Sequence, residues 1–274
     1  MGTRNRRLTG WRLTAALVLA AIVIFPIYWM FVTSVSTPEE LYARDAPLWP
    51  VALHPENYTE PLARYPFARW FANSTVIAVV SVVATVVVNL MAGYAFAKLE
   101  FPLKNVLFLA IISTLMVPVQ VIMVAQFQVV VELDLVNTNW GVILPRLAEA
   151  FGLFLSRQFM AAVPDELLEA ASLDGAGQLR RFVSVVLPLC KPLVATLVIF
   201  TFMWRWNEFA WPLIVLRDND SYTLPVGLLF LQSQFGNDVG GLMAMSMLAT
   251  IPMLVVFAVF QRFFVEGMAR SGIK

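Results

Sequence analysis

Four stretches of this chain, residues 13–38, 71–97, 105–131 and 239–261, are long enough to cross a bilayer and carry no charged side chain. A hydrocarbon core of about 30 Å takes about 20 apolar helical residues to span. No water is available there to backbone N–H and C=O groups, and a helix satisfies them within one segment. The sequence therefore predicts an all-α, polytopic membrane protein. Composition agrees: 59% of the 274 residues are apolar, 14% are charged, and the mean hydropathy is +0.75. A soluble domain lies nearer half apolar and a quarter charged.

The same counts exclude other classes. With 19 basic and 18 acidic residues the net charge is +1. No face is basic enough to neutralise a phosphate backbone, so no nucleic-acid partner is expected. A disulfide within the chain needs two thiols, and Cys190 is alone. His54 is the only histidine, which leaves little for metal chemistry.

Two further spans are interrupted. Residues 140–160 include Arg146, Glu149 and Arg157, and residues 192–216 include Arg205 and Glu208. The bias of basic residues toward the cytoplasm decides the count. If 140–160 did not cross, the basic residues before Pro192 would lie outside; with six helices they sort cleanly. Arg4, Arg6, Arg7, Arg12, Lys98, Lys104, Arg157, Arg180, Arg181, Lys191, Arg262, Arg270 and Lys274 fall inside. Arg44, Arg64, Arg69 and Arg217 fall outside. Thirteen against four places both termini in the cytoplasm.

The expected organisation follows. Residues 1–12 form a cytoplasmic tail, 13–34 the first span and 35–70 an extracytoplasmic loop. Residues 71–262 form a transmembrane domain, with spans at 71–97, 105–131, 140–160, 192–216 and 240–261 and a cytoplasmic loop at 161–191. Residues 263–274 form a second cytoplasmic tail. The first span is read as an uncleaved helix, because its apolar core exceeds that of a signal peptide and no small-x-small cleavage site follows. The loop at 36–70 holds Pro38, Pro47, Pro50, Pro55, Pro61 and Pro66, which oppose a long helix. It either packs on neighbouring chains or a soluble partner, or is a solvated connection.

The loop at 161–191 does not read as a linker. Pro164 and Asp165 suit a helix start, where proline fits the first turn and acids complement the dipole. Leu167, Leu168 and Ala171 share one face at helical spacing. Gly175 tolerates the left-handed conformation of a helix end. A second helix begins near Gln178 and bends at Pro188 into the next span. Ala170 and Ala171 permit close approach of another backbone, and Glu169 beside them can pair with an arginine. The alternative is an amphipathic helix lying on lipid headgroups.

The segment EAASLDGA followed by RRFVSVVLPL resembles the EAA loop of the inner-membrane permeases of ATP-binding-cassette (ABC) importers. The matching positions are Glu169, Ala170, Ala171, Gly175, Val185, Leu187 and Pro188, with Asp174 and Ala176 in the commonest flanking choices. FLSRQFMAAVPDELLEAA before the loop and FMWRWNEFAWPLIVL after it are similar to the carbohydrate-type, MalG-like branch. The tail FQRFFVEGMARSGIK resembles that branch's ending, but departs from it at Arg270 and Ser271 and lacks the last glycine.

The resemblance implies the type I ABC importer permease fold in a bacterial cytoplasmic (inner) membrane. It implies a second permease subunit, usually a distinct homologue, two ATP-binding subunits and an extracytoplasmic solute-binding protein. Glu169, Ala170, Ala171, Asp174, Gly175, Ala176, Leu187 and Pro188 would couple this chain to the ATPase. No G-x-x-x-x-G-K-[ST] occurs in the sequence, so ATP and Mg belong to the partner and this chain is expected to bind no cofactor.

Intramembrane charges usually face a cavity or one another. Arg205 and Glu208 are three apart and can pair. With Trp204, Trp206, Asn207 and Trp211 they combine rings, for sugar CH faces, with amide and carboxylate groups, for hydroxyls. An aromatic belt at the membrane interface would look the same. Gln120, Gln126 and Gln128 suit either a sugar path or helix–helix hydrogen bonds. Arg146 and Glu149 read as a pair within one helix. The solute expected is a mono- or oligosaccharide or an amino sugar; a glycerophospho compound is the alternative. A stand-alone secondary transporter would leave the EAA loop unexplained, and a membrane enzyme lacks an intramembrane triad or carboxylate pair.

Overall fold

A computed structural model of the chain describes residues 3–43, 48–235 and 239–271. Arg44 and Pro47 of the first loop, and the last three residues of the C-terminal tail, lie outside the described residues. Every regular element among the described residues is a helix. The chain divides into two compact units: Met1–Phe67 with Gly227–Ile251, and Ala68–Val226 with Pro252–Lys274.

The first unit opens with α1 (Thr3–Ser34). Its apolar stretch Gly10–Ser34 is long enough to cross a membrane, and Leu13, Leu17, Leu19, Ile22 and Val23 are all outward-facing. That surface is one lipid would cover. The end of the helix is inside instead: Val32 and Ser34 are buried, and the Ser34 hydroxyl lies 2.7 Å from the Tyr58 hydroxyl. The prolines divide the following loop into short elements, α2 (Pro38–Leu41) and α3 (Glu56–Arg64). Thr37 and Glu40 close a capping box on α2, each side chain accepting from the other's backbone N–H at 3.3 and 3.0 Å. Asn57 donates to the carbonyls of Ser34 and Ser36 at 3.1 and 2.9 Å. The loop is thereby tied back to the end of α1.

The second unit is built on α4 (Phe67–Lys98), whose face Ser74, Ile77, Ala78, Ser81, Thr85 and Asn89 is buried. Small and polar residues on one face are what closely packed membrane helices use. The expected third span is two helices, α5 (Lys104–Ser113) and α6 (Val119–Glu132), with 107° between them. Pro118 causes the break: it lacks an N–H and forces its predecessor out of the helical region, and Val117 sits at φ −89, ψ 117.

The expected fourth span is also divided, into α7 (Asn139–Ile143), a 3-10 turn at Leu144–Arg146, and α8 (Ala150–Ala161). Glu149 is extended at φ −129, ψ 123. Val142 and Ile143 of α7 pack in an apolar core with Ile77, Val130, Trp211 and Val215. On α8, Gly152 and Gly93 of α4 stand where any Cβ would collide, with Asn89 and Ser156 respectively, so α4 and α8 touch backbone to backbone.

The loop 161–191 holds α9 (Asp165–Leu173), α10 (Gln178–Arg181), a π-helical turn Phe182–Val186, and α11 (Leu187–Leu189). α12 (Lys191–Trp206) leaves it at 82°. The bend falls at Cys190, two residues past the expected Pro188. The expected fifth span ends early, and α13 (Ala210–Val215) follows a break at 207–209. Last come α14 (Leu224–Phe235) and α15 (Val239–Ser271), the latter apolar over Val239–Gln261. Among the described residues three helices are long and apolar enough to cross a membrane singly, or up to five if each of two bent pairs is one span.

Candidate functional site

The second unit carries two sites. The first is the surface helix α9. Asp165 and Glu166 occupy its first turn, where they meet the positive end of the helix dipole. Leu168 is buried and Ala171 half-buried, so these two anchor the helix, whereas Leu167 is exposed. Glu169, Ala170 and Asp174 face solvent. Among the described residues Glu169 has no ion-pair partner. The helix stops at Gly175, whose φ is +77. Its N–H donates to the Ser172 carbonyl at 3.0 Å and that of Ala176 to the Ala171 carbonyl at 2.9 Å, the two bonds of a Schellman end.

This helix is braced against the long α4. Lys98, at the end of α4, has a side chain only 5% exposed. Its Nζ donates to the Val163 carbonyl at 2.5 Å and to the Asp165 carboxylate at 2.6 Å. One turn earlier the Tyr94 hydroxyl donates to Gln178 Oε1 at 3.0 Å, and its ring packs on Phe182 at 5.2 Å. Arg181 Nε donates to the Ala176 carbonyl at 3.0 Å, closing the turn between α9 and α10. Leu187 is half-buried and Pro188 exposed. Burial pushes the Cys190 thiol up to about 11. These contacts tie α9 and α10 to α4, and the π-helical turn runs on toward α12. Lys98 and Tyr94 escape a reading of the sequence because their partners lie more than sixty residues away; a lone lysine ending an apolar run carries no such signal.

The second site lies where the broken helices meet. Arg146, in the turn before α8, donates to Glu208 at 3.0 Å. Arg205, at the end of α12, donates to Glu208 at 2.9 Å and is ion-paired to Glu149. It also reaches the Arg146 carbonyl at 3.3 Å, which accepts from Thr85 as well at 3.2 Å. The expected Arg205–Glu208 pair is present. The expected pair of Arg146 with Glu149 is not: the extended residue at 149 ends helical spacing, and each side chain turns to the other break. A cavity of about 520 Å³ adjoins these four, lined also by Gln120, Gln126 and Trp204.

The remaining sequence candidates lie elsewhere. Trp211 is fully buried, donates to the Gly141 carbonyl at 3.3 Å and lies under the Arg146 guanidinium at 5.5 Å. Asn207 donates to the Met203 carbonyl at 2.8 Å, and Gln128 does not line the cavity. Among the described residues no group of three or more His, Cys, Asp or Glu could hold a metal ion.

Long apolar helices, with broken helices meeting at paired charges, describe a multi-pass membrane protein. The chain belongs to the family described as binding-protein-dependent transport system inner membrane component, whose model matches residues 89–270. It is thus a permease-type subunit of an ABC importer. It is 34% identical, over the whole of both chains, to the arabinooligosaccharides transport system permease protein AraQ of Halalkalibacterium halodurans. It is 34% identical over 259 residues to the sn-glycerol-3-phosphate transport system permease protein UgpE of Rhizobium meliloti, covering 91% of this chain and 92% of that one. The fold matches a crystal structure of a bacterial ABC transporter involved in the import of the acidic polysaccharide alginate. The TM-score is 0.82 at 23% identity, over 96% of this chain and 99% of the other.

Proposed function

We propose that this chain is one of two permease subunits of an ATP-driven importer that carries a sugar, as a mono- or oligosaccharide, across the cytoplasmic membrane. The observation that carries the solute class is the end-to-end match to an arabinooligosaccharide permease. The equal identity to UgpE supports a second reading, a glycerophospho compound. The partner permease is a distinct homologue. Two ATP-binding subunits lie beneath and hold ATP and Mg, and an extracytoplasmic protein delivers the solute. This chain catalyses no reaction of its own. It crosses the membrane six times, with 140–160 as the fourth span and both termini in the cytoplasm.

In this reading α9 is the part the ATPase grips. Its exposed face offers Glu169 for an arginine of the ATPase and Ala170 for close backbone approach. Asp174, Gly175 and Ala176 form the rigid end that α9 turns on, and Leu187 and Pro188 join it to the fifth span. ATP closes the ATPase dimer, α9 moves with it, and the brace at Lys98 and Tyr94 carries the motion to α4. ATP can shift the bundle only by binding one state better than the other, so transport must stop when the nucleotide cycle stops. Proteoliposomes holding the complete importer, supplied with its binding protein, provide the test. Uptake of radiolabelled arabinooligosaccharide should fall to background when the ATPase subunits carry an inactivated nucleotide site. Uptake at the full rate would overturn the proposal in favour of a stand-alone transporter.

A further inference from the structure

Residues 48–53 read LWPVAL, six uncharged residues in a row, and they form no regular element. Leu48, Trp49, Val51 and Leu53 are 58–69% exposed. A contiguous run of exposed apolar side chains marks a surface that something covers. Both ends of the run are tied to the end of α1. The Tyr28 hydroxyl donates to the Leu48 carbonyl at 2.8 Å, and the His54 N–H donates to the Val35 carbonyl at 3.0 Å. These tie points lie about 10 Å apart along α1, at about 1.5 Å per residue. The run therefore follows the final turns of α1, with Leu48 level with Tyr28 and Leu53 near Val35. Tyr28 is flanked on the same side of α1 by Phe25 and Phe31, and all three are 40–50% exposed. The run thus continues the outward-facing apolar surface of α1.

We infer that 48–53 is a lipid anchor, seated in the headgroup region of the outer leaflet beside α1. The inference rests on the reading above in which α1 crosses the membrane and ends outside the cytoplasm. The length of α1 sets the depth. Gly10–Ser34 has 25 residues, which is about 37 Å at 1.5 Å per residue against a hydrocarbon core of about 30 Å. With Arg12 at the inner boundary, the stretch from Tyr28 to Val35 brackets the outer one. Tyrosine and tryptophan concentrate at that level, and Tyr28, Trp29 and Trp49 fall there. Irregular backbone is not tolerated against hydrocarbon, so the run sits at the interface and no deeper. It leaves few polar groups to satisfy: Tyr28 takes the Leu48 carbonyl, and Pro50 has no N–H. The rest meet water and headgroups. The chemistry of the run also favours lipid over a soluble protein. A solute-binding protein that docks in register and then releases needs directional polar contacts, and the only side-chain hydrogen-bonding group in LWPVAL is the Trp49 indole N–H. Lipid imposes no register. The anchor holds the loop bearing α2 and α3 at a fixed height over the membrane.

Fluorescence quenching from the lipid and from the water side tests this. The Val51→Cys importer, complete with its partner permease and ATPases, is labelled with a nitrobenzoxadiazole maleimide and placed in phosphatidylcholine nanodiscs. Cys190 is fully buried and labels slowly. An interfacial segment sits about 5–10 Å into the headgroup and acyl boundary, so phosphatidylcholine with a nitroxide near the top of its chain should remove about half of the emission. Iodide in the buffer should quench residue 51 less than a label at Glu60→Cys, on the exposed side of α3. Adding Trp49→Ser and Leu53→Ser to the labelled chain should reverse the order, with iodide then quenching more than lipid. Strong iodide quenching without lipid quenching in the Val51→Cys importer would make the run a solvated connection. Shielding from both would bury it against the partner permease, and shielding that appears only when the solute-binding protein is added would make it a docking surface. Each of these results overturns the anchor. A label at Leu19→Cys, 63% exposed on α1, separates the two failures. If a nitroxide deep in the acyl chain quenches it, only the anchor is lost; if not, α1 does not cross and the reading beneath the inference falls first.

Discussion

Replacing Glu169 with Lys should abolish ATP-driven uptake while the amount of chain in the membrane stays the same. The two halves of this result have separate causes. Glu169 lies on the exposed face of α9 and has no ion-pair partner within the described chain, so reversal of its charge costs the fold little. In the proposed complex it meets an arginine of the ATPase, and the new lysine would repel that group. Loss of one partner of a buried, hydrogen-bonded charge pair costs about 2–5 kcal/mol, which is about thirtyfold or more in affinity. Co-purification of the ATPase with the tagged permease should fall accordingly, and solute uptake with it. Wild-type co-purification together with wild-type uptake would remove Glu169 from the docking surface.

Arg205→Ala should have the opposite signature, a chain that fails to fold or assemble. Arg205 has a side chain 6% exposed and bridges Glu149 and Glu208. Its removal leaves two carboxylates close together with only Arg146 to offset them. Breaking a buried ion pair from one side costs about 3–5 kcal/mol, whereas replacing the whole cluster with neutral residues of similar volume is often tolerated. Arg205→Ala should therefore lower the thermal midpoint of the solubilised chain and its yield in the membrane. Neutralising all four charges together, with Arg146→Met, Glu149→Gln, Arg205→Met and Glu208→Gln, should recover much of that stability without recovering uptake. A wild-type midpoint for Arg205→Ala would mean that the charges are solvated, not a sealed cluster.

The contrast between these two residues also marks what is legible in the sequence. The long helices α1, α4 and α15 are readable because lipid imposes one rule, an uncharged run of sufficient length. The end of α9 is readable at Gly175 because the motif is local: a positive φ, two hydrogen bonds and no distant partner. The breaks are half-readable. Pro118, Glu149 and Glu208 stand out in apolar surroundings, but periodicity treats each interrupted span as one rod. That assumption produces the pairing of Arg146 with Glu149, which the extended backbone at 149 prevents. Trp211 reads as a neighbour of the solute because it is close to Glu208 in sequence. The break at 207–209 turns it into the apolar core instead. The brace from Lys98 to Asp165 and from Tyr94 to Gln178 is invisible in the sequence, since only the tertiary fold brings α4 against the loop.

The central claim is that α9 is gripped by a separate ATP-hydrolysing subunit, and a cross-link tests it most directly. Ala170→Cys places a reactive group on the exposed face of α9. Membranes containing the whole importer are treated with a short heterobifunctional, photoactivatable maleimide. The account predicts an adduct between this chain and the ATPase subunit, with a yield that changes when ATP is added. An adduct with lipid alone, in the presence and absence of ATP, would contradict it.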